Sequence, residues 1–369
     1  MENPHGWRSR PILRLTFLVA LALAVGFGSA RIWKAVHAAQ LQTAIDRLRT
    51  MYFTEDYEGA KTQGPRLVRR FPASTQLRAW YLLSAAWPSG MGQEAVKLAR
   101  QMTRDHPDDP WSWFALAGTQ VSHLTSDQEG DEVLAASAKA LSMMPRHPDF
   151  LWLRAWTLFL TVKHVGEVPA FVDAHLAMVP NPAELLVLKA RALEFLGTEI
   201  RHDEAQIAAA YEIMEEARRA DPENFHARYL PGLFLSRRGE PEKGLPLLKN
   251  AVALAPDSVV GHREYWRAFN TLEPSLQPVE RAAVLADVQS VEAESGERPW
   301  ALSQIAEQYG SLGLRDRQVA LEDKLLREHR DDPIGRIVLS NRITRLADAI
   351  DLWGVRQPSQ DPSHAMPIE

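Results

Sequence analysis

The chain has 369 residues, a formal net charge of −5, 46% hydrophobic residues and no cysteine. That length exceeds one ordinary compact domain and implies either two or three domains or one elongated array. The weak acidity leaves no electrostatic footprint for nucleic acid, and the lack of cysteine excludes disulfides, zinc–thiolate sites and cysteine nucleophiles together.

Residues 1–14 form a basic flank with Arg8, Arg10 and Arg14, followed by the uncharged run LTFLVALALAVGFGSA from Leu15 to Ala30. As a helix that run spans roughly 24 Å, and counting Ile32 and Trp33, with Arg31 snorkelling, it approaches a bilayer crossing. Residues 15–33 read as a transmembrane signal-anchor, favoured because helix-compatible sequence continues past Ala30. The other reading is a cleaved signal peptide with Gly28 and Ala30 at the −3 and −1 positions. Lys and Arg are nearly balanced across the run, so the positive-inside rule decides little. Either reading places the bulk of the chain outside the cytoplasm. The anchor gives a single-pass inner-membrane protein with a periplasmic repeat domain, and cleavage gives a protein secreted to the periplasm.

Beyond it, prolines that end helical runs fall at Pro72, Pro107, Pro145, Pro180, Pro222, Pro256, Pro299 and Pro333. Four of the seven intervals lie within one residue of 34, which marks a repeat of helical hairpins. Proline disfavours the helical conformation of the residue before it, so Asp-Pro and His-Pro are stop signals. No segment alternates with period two, and no strand is expected.

The clearest copy is FHARYLPGLFLSRRGEPEKGLPLLKNAVALAPDS, residues 225–258. It places Gly232 at the small position of a first helix, Gly244 and Ala251 at the small positions of a second, and Leu248 at a large one. In this it resembles the tetratricopeptide repeat, although Pro231 stands for the usual leucine and Arg228 for the tryptophan. WSWFALAG from Trp111 and residues 203–222 and 300–333 supply further partial copies. The resemblance implies an all-α, right-handed α-solenoid of about seven to eight hairpins over residues 36–353. Each hairpin has one apolar stripe that only stacking can bury. Extra residues around Ser122–Asp131, Gly197–Asp203 and Glu273–Pro278 read as longer turns. A last helix over roughly Ile334 to Leu352 caps the array, with Arg336, Arg342 and Arg345 outward, and the polar, proline-rich residues 354–369 are disordered.

A search for chemistry finds none. No His-Glu-x-x-His, phosphate-binding glycine loop or nucleophile elbow is present, and His202, Asp203 and Glu204 are consecutive, so a helix would splay them apart. No catalytic residue, cofactor, metal or small-molecule substrate is expected. The tryptophans on first helices, including Trp80, Trp152, Trp156 and Trp300, read mainly as inter-helix packing.

Arrays of the family present the first helix of each repeat to a concave groove that takes peptides. Counted from Pro222 and Pro256, its places here are Tyr229, Arg237, Arg263, Arg267 and Asn270, a basic patch with one aromatic. The carboxylate clamp of chaperone-binding members needs matching residues over three repeats, which neighbouring copies lack; a generic preference for anionic peptide remains. The leading expectation is a membrane-tethered scaffold or adaptor that holds a protein or peptide partner in the bacterial envelope. The alternatives are the regulatory or interaction arm of an envelope enzyme complex or longer fusion, and a self-assembling structural subunit.

Overall fold

A computed structural model describes residues 10–86, 92–124, 126–272, 278–295, 297–330 and 335–344, without the side chains of 10–31, 127, 259 and 295. The described residues are helices joined by short turns, with no strand among them. The long first helix, α1 (Arg10–Phe53), pairs with α2 (Tyr57–Arg70), and α3 (Thr75–Ala86) pairs with α4 (Gly92–Asp105). Next come α5 (Pro110–Val121) with α6 (Asp127–Met143), and α7 (Pro148–Leu160) with α8 (Val168–His175). Then α9 (Ala183–Phe195) pairs with α10 (Glu204–Ala220), and α11 (Phe225–Arg237) with α12 (Pro241–Leu254). The last two pairs are α13 (Val259–Leu272) with α14 (Pro278–Ser295), and α15 (Pro299–Ser311) with α16 (Arg315–Glu328). A further helix covers 335–344. The array is therefore an eight-hairpin solenoid among the described residues.

Local chemistry sets the boundaries. Asp109, Ser126, Asp203 and Asn224 each stand just before a helix and accept one of its free backbone N–H groups. Each such cap is worth about 1 kcal/mol. Pro110 and Pro148 occupy first-turn positions, where no N–H is missed.

Within α11–α12 the backbones nearly touch. A Cβ built on Gly244 would stand 2.5 Å from the Gly232 carbonyl oxygen, and Leu248 and Ala251 beside it are fully buried. The apolar interior forms two clusters that meet on α9: Leu185, Leu188 and Ala192 face the N-terminal one, Leu186, Val187 and Ala190 the C-terminal one. Most first-helix tryptophans serve this interior; Trp80, Trp152 and Trp266 are buried.

Three features go beyond a plain array of hairpins. The extra residues Gly197–Asp203 are no simple long turn: a π-helical stretch, Leu196–Arg201, prolongs α9 and ends at His202 with φ 51°. The second helix of the fourth hairpin is broken, with 3₁₀ turns over Val162–Glu167 and Leu176–Met178 around the short α8. The described part of the last helix packs on the final hairpin through Gly335 and Val338, while Ile337, Leu339 and Ile343 are exposed; Arg336 faces solvent, but Arg342 pairs with Asp323 instead of standing free. The insertion at 273–277, the residues from 345 onward, Arg345 included, and the tail 354–369 lie outside the described residues.

Among the described residues no helix is long and apolar enough to cross a membrane. The run Leu15–Ala30 lies on the stretch of α1 whose side chains are outside the description; its backbone belongs to one uninterrupted helix that continues into the first hairpin.

Candidate functional site

The site is built around the turn between α1 and α2. Helix α1 ends when the N–H of Asp56 bonds the Met51 carbonyl and the N–H of Glu55 bonds that of Tyr52. That is a Schellman closure, which needs a left-handed residue and normally uses glycine. Gly239 and Gly313 fill the same place after α11 and α15, with φ 82° and 77°. Here the residue is Glu55, at φ 60°. A side chain in that conformation costs on the order of 1 kcal/mol, so its carboxylate must be offset elsewhere.

It meets His226 of α11, with Glu55 Oε1 at 3.3 Å from His226 Nε2. On the other side of the ring, Glu184 of α9 lies 3.8 Å from His226 Nδ1 and accepts a 2.6 Å bond from Asn224 Nδ2. Burial alone would depress the imidazolium, but Glu184 and Glu55 override it and push His226 up to about 9. His226 is therefore a cation at neutral pH.

The next residues follow the same pattern. Asp56 caps α2 by accepting the Gly59 N–H at 2.9 Å and also accepts a 3.0 Å bond from Arg298 Nη1. Burial raises its carboxyl to about 6 against the opposing pull of Arg298 and of the Gly59 N–H. Glu58 accepts the backbone N–H of Trp300 at 3.0 Å. Arg298, the residue before α15, makes no side-chain cap of its own, so a carboxylate 242 residues away in sequence caps that helix N-terminus. Behind the turn, Tyr52 and Phe53 pack against Trp80 and Trp152 at ring separations of 5.0–5.8 Å. Arg49 bonds Asp149 at the start of α7 at 2.9 Å. One turn thus touches the second, fourth, sixth and eighth helix pairs or their approaches, which requires the solenoid to curl around it.

Beside the turn remains a cavity of about 300 Å³, walled by Glu55 and Tyr57 on one side and by Arg191, Tyr229, Arg237, Arg263 and Trp300 on the other. Arg191 lies over the rings of Trp156 and Phe159, at 5.4 and 4.9 Å. Burial raises the Glu194 carboxyl, opposed by Arg237 and Arg191. Among the described residues neither Arg191 nor Arg237 forms an ion pair. Tyr229, Arg237 and Arg263 of the expected groove come together here. Arg267 instead grips the buried Glu264, and Asn270 bonds Gln308 on α15; neither lines the cavity. Among the described residues no three side chains are placed to hold a metal.

Sequence reasoning missed Glu55, Asp56, Glu58, His226 and Arg298. The available signal was a glutamate where sister turns carry glycine.

No family model and no curated protein matches the sequence. Among solved structures, yeast Tom70 aligns with a TM-score of 0.54 at 12% identity, covering 83% of this chain and 61% of that one. The fold is a tetratricopeptide-type solenoid. The Cut9–Hcn1 hetero-tetramer of the APC/C gives a TM-score of 0.47 at 10% identity over 81% of this chain and 55% of that one. A TPR protein of Thermus thermophilus gives 0.37 at 18% over 69% and 99%. This solenoid therefore spans only 55–61% of the two longer neighbours. At these identities the likeness concerns the path of the helices alone.

Proposed function

We propose that this chain is a non-catalytic protein-binding scaffold that receives a segment of a partner on the inner side of the solenoid, at the cavity framed by α9, α11, α13 and α15. The observation that carries it is the pair of guanidiniums, Arg191 and Arg237, which line an open cavity beside Glu194 without forming an ion pair among the described residues. Tyr229, Arg237 and Arg263 contact the partner in this reading, and Arg267 and Asn270 hold the wall in place. We further propose that residues 15–33 tether the scaffold to the inner membrane with the repeats in the periplasm. What supports the tether is the apolar run behind three arginines and its helical continuity with the first hairpin.

A photo-crosslinking amino acid at Val260, half-buried at the cavity, should trap a discrete partner in carbonate-washed membranes, whereas the same group at the exposed Lys249 of α12 should not. Arg237→Glu should reduce the Val260 adduct at least tenfold. Equal crosslinking from both positions contradicts the groove reading. Loss of the chain on washing, or a mature N-terminus at Arg31, contradicts the anchor.

A further inference from the structure

The cavity is too small for the function proposed for it. Specific protein interfaces bury on the order of 800 Å² per partner, whereas about 300 Å³ holds only a side chain or two. The space that an extended partner segment would fill is taken by the α1–α2 turn. That turn is itself an acidic, aromatic-flanked peptide: Tyr52-Phe53-Thr54-Glu55-Asp56-Tyr57-Glu58.

Its three carboxylates do not fall at random. Glu55 reaches His226, Asp56 reaches Arg298 and Glu58 reaches the Trp300 N–H, three donors supplied by two different hairpins. Without the turn the wall presents His226, Arg191, Arg237, Arg263 and Arg298 against Glu184, Glu194 and Glu264. Glu264 is engaged by Arg263 and Arg267 and Glu184 stays beside His226, which leaves Arg191, Arg237 and Arg298 facing Glu194 and the nearby Asp257. The bare groove is therefore net cationic and complementary to an acidic segment. The left-handed Glu55 is the second, independent sign: the chain accepts backbone strain where glycine serves elsewhere, in order to place a carboxylate on this wall.

We propose that the α1–α2 turn is the resident occupant of the groove, and that the partner is a protein segment of the same chemistry, carboxylates interleaved with aromatics, which binds by displacing it. This rests on the scaffold reading above. The aromatic base, Tyr52 and Phe53 on Trp80 and Trp152 with Tyr57 against Tyr52, keeps the hairpin attached while the carboxylates of Glu55, Asp56 and Glu58 withdraw. Because the resident segment is covalently attached, its effective concentration is in the millimolar range or higher, so a free copy competes poorly until the internal contacts are weakened.

The test uses the full chain and a fluorescein-labelled synthetic peptide of residues 52–59, YFTEDYEG, followed by anisotropy. A Glu55→Gln, Asp56→Asn, Glu58→Gln variant keeps an Asn cap on α2 and should bind the peptide at least tenfold more tightly than the unaltered chain. Binding should vanish for the neutral peptide YFTQNYQG and when Arg298→Ala is added. Should the triple variant fail to fold by circular dichroism, Glu58→Gln alone serves, with at least a threefold gain. A folded variant that binds no better than the unaltered chain, or that takes the neutral peptide equally well, overturns the proposal. The Val260 crosslink can still succeed in that event, which would leave a groove with a different partner.

Discussion

Gly244→Val lowers the stability of the solenoid by about 3 kcal/mol or more, the upper range for overpacking. The obstacle to the new Cβ is backbone: the Gly232 carbonyl oxygen at 2.5 Å and the Ser236 nitrogen at 3.1 Å, besides Ser236 Oγ at 2.4 Å. A rotamer change cannot clear it; α11 and α12 must separate, and Leu248 and Ala251 lose their packing with them. Gly239 provides the contrast. A Cβ there meets nothing within 4 Å, yet φ is 82°, so Gly239→Ala costs only the conformational term, about 1 kcal/mol. Urea titration of the two variants separates space from conformation. Because repeat arrays are stabilised by neighbour contacts, the Gly244 loss should also appear as accelerated hydrogen exchange centred on α11–α12. A change below about 0.5 kcal/mol for Gly244→Val would refute the close crossing.

The second large effect is on pH. His226 has a folded pKa of about 9 against roughly 6.5 in an unfolded chain. A raised cationic group contributes stability that is fully present below about pH 6.5 and lost as pH climbs through about 9. At roughly 1.4 kcal/mol per unit, the loss is about 3 kcal/mol. Asp56 shifts the same way in a lower window. Its folded pKa of about 6 exceeds the ordinary carboxyl value of roughly 3.9, so the stability it contributes falls between about pH 4 and 6. The alkaline window therefore isolates the histidine. Thermal melts from pH 6.5 to 9.5 should show a falling midpoint in the unaltered chain and a much flatter profile in His226→Gln. The variant should also be less stable at pH 6.5, since it leaves Glu55 and Glu184 buried without their cation. Identical slopes for the two proteins would mean that His226 is not held between the carboxylates.

The helical hairpins were legible because their signals are local. Proline spacing, N-cap residues and the small positions Gly232, Gly244 and Ala251 act within one repeat, and each has a direct steric or hydrogen-bonding cause. The closure of the solenoid was not legible. It depends on Asp56 meeting Arg298 and Glu58 meeting the Trp300 N–H across 242 residues, and no periodicity encodes such a meeting. Part of the groove followed from counting: Tyr229, Arg237 and Arg263 share the cavity wall because they recur on the same face of successive first helices. Arg267 and Asn270 met the same counting rule, yet Glu264 and Gln308 had already claimed them. Register alone cannot see such pairings. The π-helical end of α9 escaped for a related reason, since a one-residue widening leaves the apolar pattern before it intact.

Closure of the first hairpin onto the last is the claim on which the groove, its resident turn and its acidic partner all depend. The chain has no cysteine, so a Thr62→Cys, Glu297→Cys variant takes two spin labels at an exposed site on α2 and one just before α15. Thr62 lies about one and a half turns beyond the Asp56–Arg298 contact, on the order of 9 Å of helix. Pulsed electron–electron resonance should then give one narrow distribution below roughly 30 Å. It should broaden and lengthen in the variant carrying Glu55→Gln, Asp56→Asn and Glu58→Gln. A broad distribution centred well beyond 40 Å in the otherwise unaltered chain would show an open solenoid and contradict the account.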